Sequence, residues 1–140
     1  LDEWSGVVSL TCGSRGCVIE LDLSYSNLTG VISPAIGNLS ALEWLNLNSN
    51  QFSGSLPSEL GKLSWLEWLS LYSNLLEGAI PHTLALLKSM TTLFLNGNNF
   101  TGDIPETIFR NCSSLTYIDL GSSNLTGEIL FSTLLKSMTT

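Results

Sequence analysis

The sequence is poor in positive charge. Arg15, Lys62, Lys88, Arg110 and Lys136 are its only lysines and arginines, set against twelve carboxylates for a net charge of −7 over 140 residues. Polyanion binding needs clustered Lys and Arg, so no nucleic-acid partner is expected, and attraction to an anionic membrane surface fails on the same ground. No apolar run approaches the ~20 residues that span a bilayer, so no membrane contact by this chain is expected. Leu1 does not open a signal peptide, and the chain is expected to be either mature or cut from something longer. Histidine occurs once, as His82 in a Pro-His-Thr turn, and no Cys/His or His-x-x-x-His spacing offers a metal site or a nucleophile with its base. No catalytic residue, metal or cofactor is expected, and the protein reads as a non-enzyme. Glu20 and Asp22 would lie about 7 Å apart on one strand face, but a sheet rim without a cleft rarely tunes a carboxylate pair. They read as a solvated acidic rim or a weak cation site.

Cysteine is also scarce. Three residues leave at least one unpaired within a monomer. Cys12 and Cys17, with four residues between them, are the candidate disulfide, with the bridged and free forms both open from the sequence. Cys112, in Asn-Cys-Ser-Ser-Leu, reads as a small buried apolar residue rather than a reactive thiol.

What the chain does have is glycosylation sequons and a repeat. Asn-x-Ser/Thr occurs at Asn27, Asn38, Asn99, Asn111 and Asn124, never with proline in the middle. One or two would arise by chance; five point to the secretory route and an extracellular or cell-surface location. Gly30, Gly54, Gly78, Gly102 and Gly127 fall 24, 24, 24 and 25 residues apart, each closing a phrase such as LDLSYSNLTG or LNLNSNQFSG. A unit of this length with apolar residues in an L-x-x-L-x-L-x-x-N-x-L pattern is the signature of a leucine-rich-repeat solenoid, whose turns bury their apolar sides against their neighbours. Function is therefore sought on a surface.

Aligned on the glycine, the repeats run Val18 to Ala41, Leu42 to Trp65, Leu66 to Ser89, Met90 to Ser114 and Leu115 to Ser137. Residues 1–17 form an amino-terminal cap, 18–137 the five repeats, and 138–140 the start of a sixth. Period-2 alternation gives each repeat a short strand with Leu21 and Leu23, Leu45 and Leu47, Leu69 and Leu71, Leu93 and Leu95, and Ile118 and Leu120 inward. Stacked, these make one parallel sheet on the concave face. Ser26, Asn50, Asn74, Asn98 and Ser123 form a structural ladder after the strand, where an amide that both donates and accepts satisfies backbone groups of its own and the adjoining turn. Proline after the glycine opens a short helical turn on the convex face, where Lys62, Lys88 and Lys136 recur as a solvated surface.

The outward positions of the strands carry the candidate site. Glu20, Trp44, Trp68, Thr92 and Tyr117 make one column, Asp22, Asn46, Ser70, Phe94 and Asp119 a second, and Ser24, Asn48, Tyr72, Asn96 and Gly121 continue the face. Trp44, Trp68, Tyr72, Phe94 and Tyr117 would lie close together on strands ~4.8 Å apart. With Asp22, Asn46, Asn48, Asn96 and Asp119 they combine apolar area with groups that fix orientation. A simple cross-strand packing of Trp44 on Trp68 accounts for part of the same pattern. Asn27, Asn99 and Asn124 share one repeat position, so their glycans would crowd one flank and leave the concave face open.

The phrasing L-x-x-L-x-L-x-x-N-x-L-x-G-x-I-P resembles the plant-type leucine-rich repeats of receptor-like kinases, receptor-like proteins and polygalacturonase-inhibiting proteins. The opening WSGVVSLTCGSRGC, with Trp4, Gly6, Val7 and Cys12, is similar to that family's cap. Asp2 stands where the family carries a cysteine, which leaves Cys17 as the nearest substitute partner for Cys12. The resemblance implies an α/β solenoid, a right-handed superhelix with one parallel sheet on the concave face and short helical turns on the convex face. It also implies an extracellular recognition module for a peptide, glycan or protein. Two alternatives come from other observations. LLKSMTT occurs at Leu86–Thr92 and again at Leu134–Thr140, and no polar cap follows, so self-association end to end through the terminal repeat is one. A surface- or ice-binding protein is the other.

Overall fold

The computed structural model describes residues 9–12 and 17–126, with side chains described from residue 17. Within each repeat a three- or four-residue phrase of alternating character makes a strand because its leucines have an apolar interior to enter and its other residues do not. Strand β1 (Ser9–Cys12) pairs antiparallel with β2 (Val18–Asp22). Parallel strands β4 (Trp44–Asn46), β6 (Trp68–Ser70), β8 (Thr92–Phe94) and β10 (Tyr117–Asp119) complete a six-stranded sheet in the order β1-β2-β4-β6-β8-β10. The register carries Leu21 onto Leu45, Leu69, Leu93 and Ile118 in turn. Leu45, Leu69 and Leu93 have no exposed surface, and each such side chain contributes about 1.5–3 kcal/mol by burial.

One sheet was expected and two are present. β3 (Thr29–Val31), β5 (Gln51–Gly54), β7 (Leu75–Gly78), β9 (Asn99–Asp103) and β11 (Asn124–Thr126) form a second parallel sheet of five strands. It sits on the part of each repeat that follows the ladder residue. Its inward column includes Phe52, Leu76 and Phe100, all buried. The outer turns are tighter than α-helix in three cases, being 3₁₀ at Pro34–Asn38, Ser58–Lys62 and His82–Leu86, and α only at α1 (Glu106–Asn111). Pro57, Pro81 and Pro105 stand one place before these turns, at the cap, in extended conformation. Only the first turn has its proline inside, with the Ser33 hydroxyl accepting from the Ala35 N–H at 3.2 Å.

The turns stack so closely that two of them tolerate no side chain. A Cβ on Gly61 would stand 2.5 Å from the Thr83 carbonyl oxygen, and one on Gly37 would stand 2.7 Å from that of Glu59. The repeat glycines answer a different need: Gly54, at φ +73°, occupies the left-handed region as the chain leaves the second sheet.

The ladder is built from amides. Asn74 Nδ2 donates to the carbonyls of Leu47 and Leu71 at 3.0 and 3.1 Å, while its Oδ1 accepts from the Phe52 N–H at 3.1 Å. Asn50 and Asn98 repeat the arrangement one turn to either side. All three are buried. At the first repeat Ser26 has only a hydroxyl to offer, donating to the Ser24 carbonyl at 3.0 Å, and its N–H is satisfied by Asn50 instead.

The cysteine pairing needs correction. Cys17 is a free, half-buried thiol, so the expected bridge to Cys12 is not formed. The hairpin gives the reason: Cys12 stands opposite Val18, which leaves Cys17 one residue out of register. Cys112 is fully buried at the C-cap of α1, its Sγ 3.5 Å from the Leu84 carbonyl. Burial pushes its thiol up to about 11.

Candidate functional site

The six-stranded sheet turns its non-leucine positions outward, and the parallel register lines them up strand by strand. Trp44 therefore neighbours Trp68, and Ser70 neighbours Phe94. The rings of Trp44 and Trp68 stack at 4.2 Å and 5°. Trp68 meets Phe94 at 5.3 Å, Phe94 meets Tyr117 at 5.1 Å, and Tyr72 meets Phe94 edge-on at 6.4 Å. All five aromatic residues singled out in the sequence thus join in one continuous platform across four strands. Trp44 and Tyr117 are its exposed ends, at 37% and 54%.

A polar strip runs beside the rings. The Asp22 carboxylate accepts from the Ser24 N–H at 2.8 Å and from Asn46 Nδ2 at 3.1 Å, and Asn46 Oδ1 accepts from Asn48 Nδ2 at 2.7 Å. At the other end Asp119 Oδ1 accepts from the Gly121 N–H at 2.9 Å. Four outward positions are more than nine-tenths buried, Ser70 at 1%, Asn48 at 7%, and Ser24 and Thr92 at 8% exposure. Ser70 Oγ and Asn48 Oδ1 have no hydrogen-bond partner among the described residues, and neither do Asn96 Oδ1 and Trp68 Nε1. Thr92, expected as an open position of the first column, is buried instead.

Several residues of the face were not anticipated. Tyr25, in the turn after β2 at φ +53°, brings its hydroxyl within 3.3 Å of that of Tyr72 across two repeats. That contact draws the Tyr25 phenol below its usual value and lifts that of Tyr72. Glu43 and Glu67 stand just before β4 and β6, outside the alternation that defined the columns. With Ile19, Glu20 and Trp44 they line an open depression of about 360 Å³ at the edge of the face. The sequence signal was available in the repeat itself, since Glu43 and Glu67 are one repeat apart, as are Trp44 and Trp68.

The sequons lie elsewhere. Asn99 and Asn124 are the first residues of β9 and β11, and Asn27 precedes β3, so these three follow the second sheet; Asn38 and Asn111 close outer turns. All five are exposed.

The Leucine Rich Repeat family model matches residues 17–39, 41–63 and 89–111. No curated protein matches the chain. Among solved structures, a chain of the BIR3–SERK2 complex from Arabidopsis thaliana is 30% identical with a TM-score of 0.80, the match covering 91% of this chain and 67% of that one. The plant peptide hormone receptor RGFR1 in complex with RGF2 is 36% identical with a TM-score of 0.78, over 82% of this chain and 19% of that one. A plant ice-binding protein is 30% identical with a TM-score of 0.78, over 91% and 42%. The chain thus spans less than half the length of the last two.

Proposed function

This chain belongs to the leucine-rich-repeat family, and we propose that it is an extracellular, N-glycosylated recognition module that holds a polypeptide partner on the concave face. The observation that carries this reading is the aromatic platform of Trp44, Trp68, Tyr72, Phe94 and Tyr117. A polar strip beside it holds Asn48 and Asn96, whose Oδ1 atoms lack a hydrogen-bond partner among the described residues. Exposed aromatics give large contact area at small entropic cost, and the face is free of sequons, whereas the second sheet carries two at its strand starts and a third just before β3. The likenesses to a peptide hormone receptor and to a chain of a protein–protein complex support a polypeptide over a glycan. No catalytic role is assigned to any residue.

The test is selection of a random-peptide display library on the immobilised, glycosylated chain, with every recovered peptide re-tested against Trp44→Ala. Peptides that bind the parent and lose the variant are the expected result. A library that yields none, or only peptides indifferent to Trp44→Ala, overturns the reading.

The likeness to an ice-binding protein supports a second reading in which a regular face meets ice. The outward columns argue against it, because Trp, Thr, Asp, Asn, Ser and Phe alternate there without a repeating hydroxyl array. Thermal hysteresis of the glycosylated chain decides the matter.

A further inference from the structure

Charge is divided between the two sides of the solenoid. Among the described residues the concave face and its rim carry Glu20, Asp22, Glu43, Glu67 and Asp119, and no lysine or arginine. The described cations, Lys62, Lys88 and Arg110, all belong to the outer turns or the residues just after them, and Arg110 is paired with Glu106. Among the described residues neither Glu43 nor Glu67 has a cationic partner. Both carboxylates border the depression that Trp44 also lines. Trp44 is one exposed end of the aromatic platform, with one ring face covered by Trp68. An indole flanked by carboxylates attracts a cation by its quadrupole and by Coulomb force together, and does so more strongly as the pair loses water.

Resting on the recognition reading above, we infer that the partner is a basic polypeptide segment, with an arginine or lysine seated against Trp44 between Glu43 and Glu67. Its main chain runs on across the strands, over Asn48 and Ser70. Those two positions supply the independent sign that the face is built to be covered. Their side chains occupy outward places in the strand alternation, are more than nine-tenths buried, and leave Oδ1 and Oγ without a partner among the described residues. Such atoms are costly while they stay buried and unpaired, and a shift of either side chain brings them to the N–H groups of an extended chain. A neutral or acidic segment would leave the Glu43 and Glu67 carboxylates desolvated without a cation beside them.

The peptides recovered from the display library are read for composition and then titrated against two double variants. Glu43→Gln/Glu67→Gln removes two charges from the depression. Glu77→Gln/Glu106→Gln removes the same charge from other faces and controls for net charge. The inference expects Arg and Lys to be enriched, affinity to fall about tenfold in the first variant, the effect of losing two close charge contacts and a cation–π pair, and affinity to hold in the second. Binding to the parent should weaken as salt rises. Peptides that depend on Trp44 but lack basic residues, or equal weakening in both double variants, overturn this inference and leave the recognition reading standing. A library that yields no Trp44-dependent peptide removes the recognition reading and this inference with it.

Discussion

Trp44 lies flat on Trp68, the two rings 4.2 Å apart and 5° from parallel, as direct neighbours in a parallel register. The pair divides its work by exposure, since Trp44 faces solvent while Trp68 is half-buried and also touches Phe94. A double-mutant cycle of Trp44→Ala and Trp68→Ala, read by urea unfolding, is expected to give a coupling energy of about 1 kcal/mol. Trp44→Ala alone is expected to cost less stability than Trp68→Ala and to cost peptide affinity. A coupling near zero would mean that the rings do not stack in solution.

The ladder makes a stronger claim on stability. Asn74→Ala removes a buried amide that serves two carbonyls on neighbouring turns and the Phe52 N–H. Leaving these groups unpaired should cost about 2–4 kcal/mol, seen as a lower urea midpoint with an unchanged slope. Asn96→Ala, a half-buried change on the concave face, should cost under about 1 kcal/mol. Equal losses would remove the ladder from its place in holding the turns together.

The leucine columns, the amide ladder and the aromatic platform were legible because each is periodic twice over, along the strand and from repeat to repeat. The second sheet was hidden by its composition. Thr29–Val31 and Gln51–Gly54 are short and contain the repeat glycine; the first is exposed throughout and the second buries only Phe52, two places after the ladder. Gly37 and Gly61 passed unnoticed because the alignment was built on the other glycine, the one needing positive φ. These two instead answer to the Glu59 and Thr83 carbonyls respectively, a constraint that exists only once the turns are stacked. The Cys12–Cys17 spacing suggested a bridge, but pairing depends on hairpin register, and spacing alone does not supply it.

Cys112 provides a pH test. Its thiol is raised by burial from about 9 to about 11, so the folded state holds the proton more tightly than the unfolded one. The resulting contribution is fully present below about pH 9 and is lost as pH rises through about 11. Urea midpoints measured from pH 7 to 11 should therefore fall more steeply for the parent than for Cys112→Ala. The same burial predicts that a thiol reagent at pH 8 labels Cys17 before Cys112. Parallel pH profiles in the two proteins would show that Cys112 reaches solvent in the folded state.

Ser70 joins stability to function in one atom. It faces the concave side between Asn46 and Phe94, yet it is 1% exposed and its hydroxyl has no partner among the described residues. A buried hydroxyl without a hydrogen bond costs about 1–3 kcal/mol, so Ser70→Ala should leave the free chain as stable as before or firmer by about 0.5–1 kcal/mol. If the hydroxyl is kept for a bound polypeptide, the same change weakens capture of the library-selected peptides. Higher stability together with lower affinity is the signature of a residue retained for binding. A stabilised variant that binds those peptides undiminished would place Ser70 outside the recognition surface.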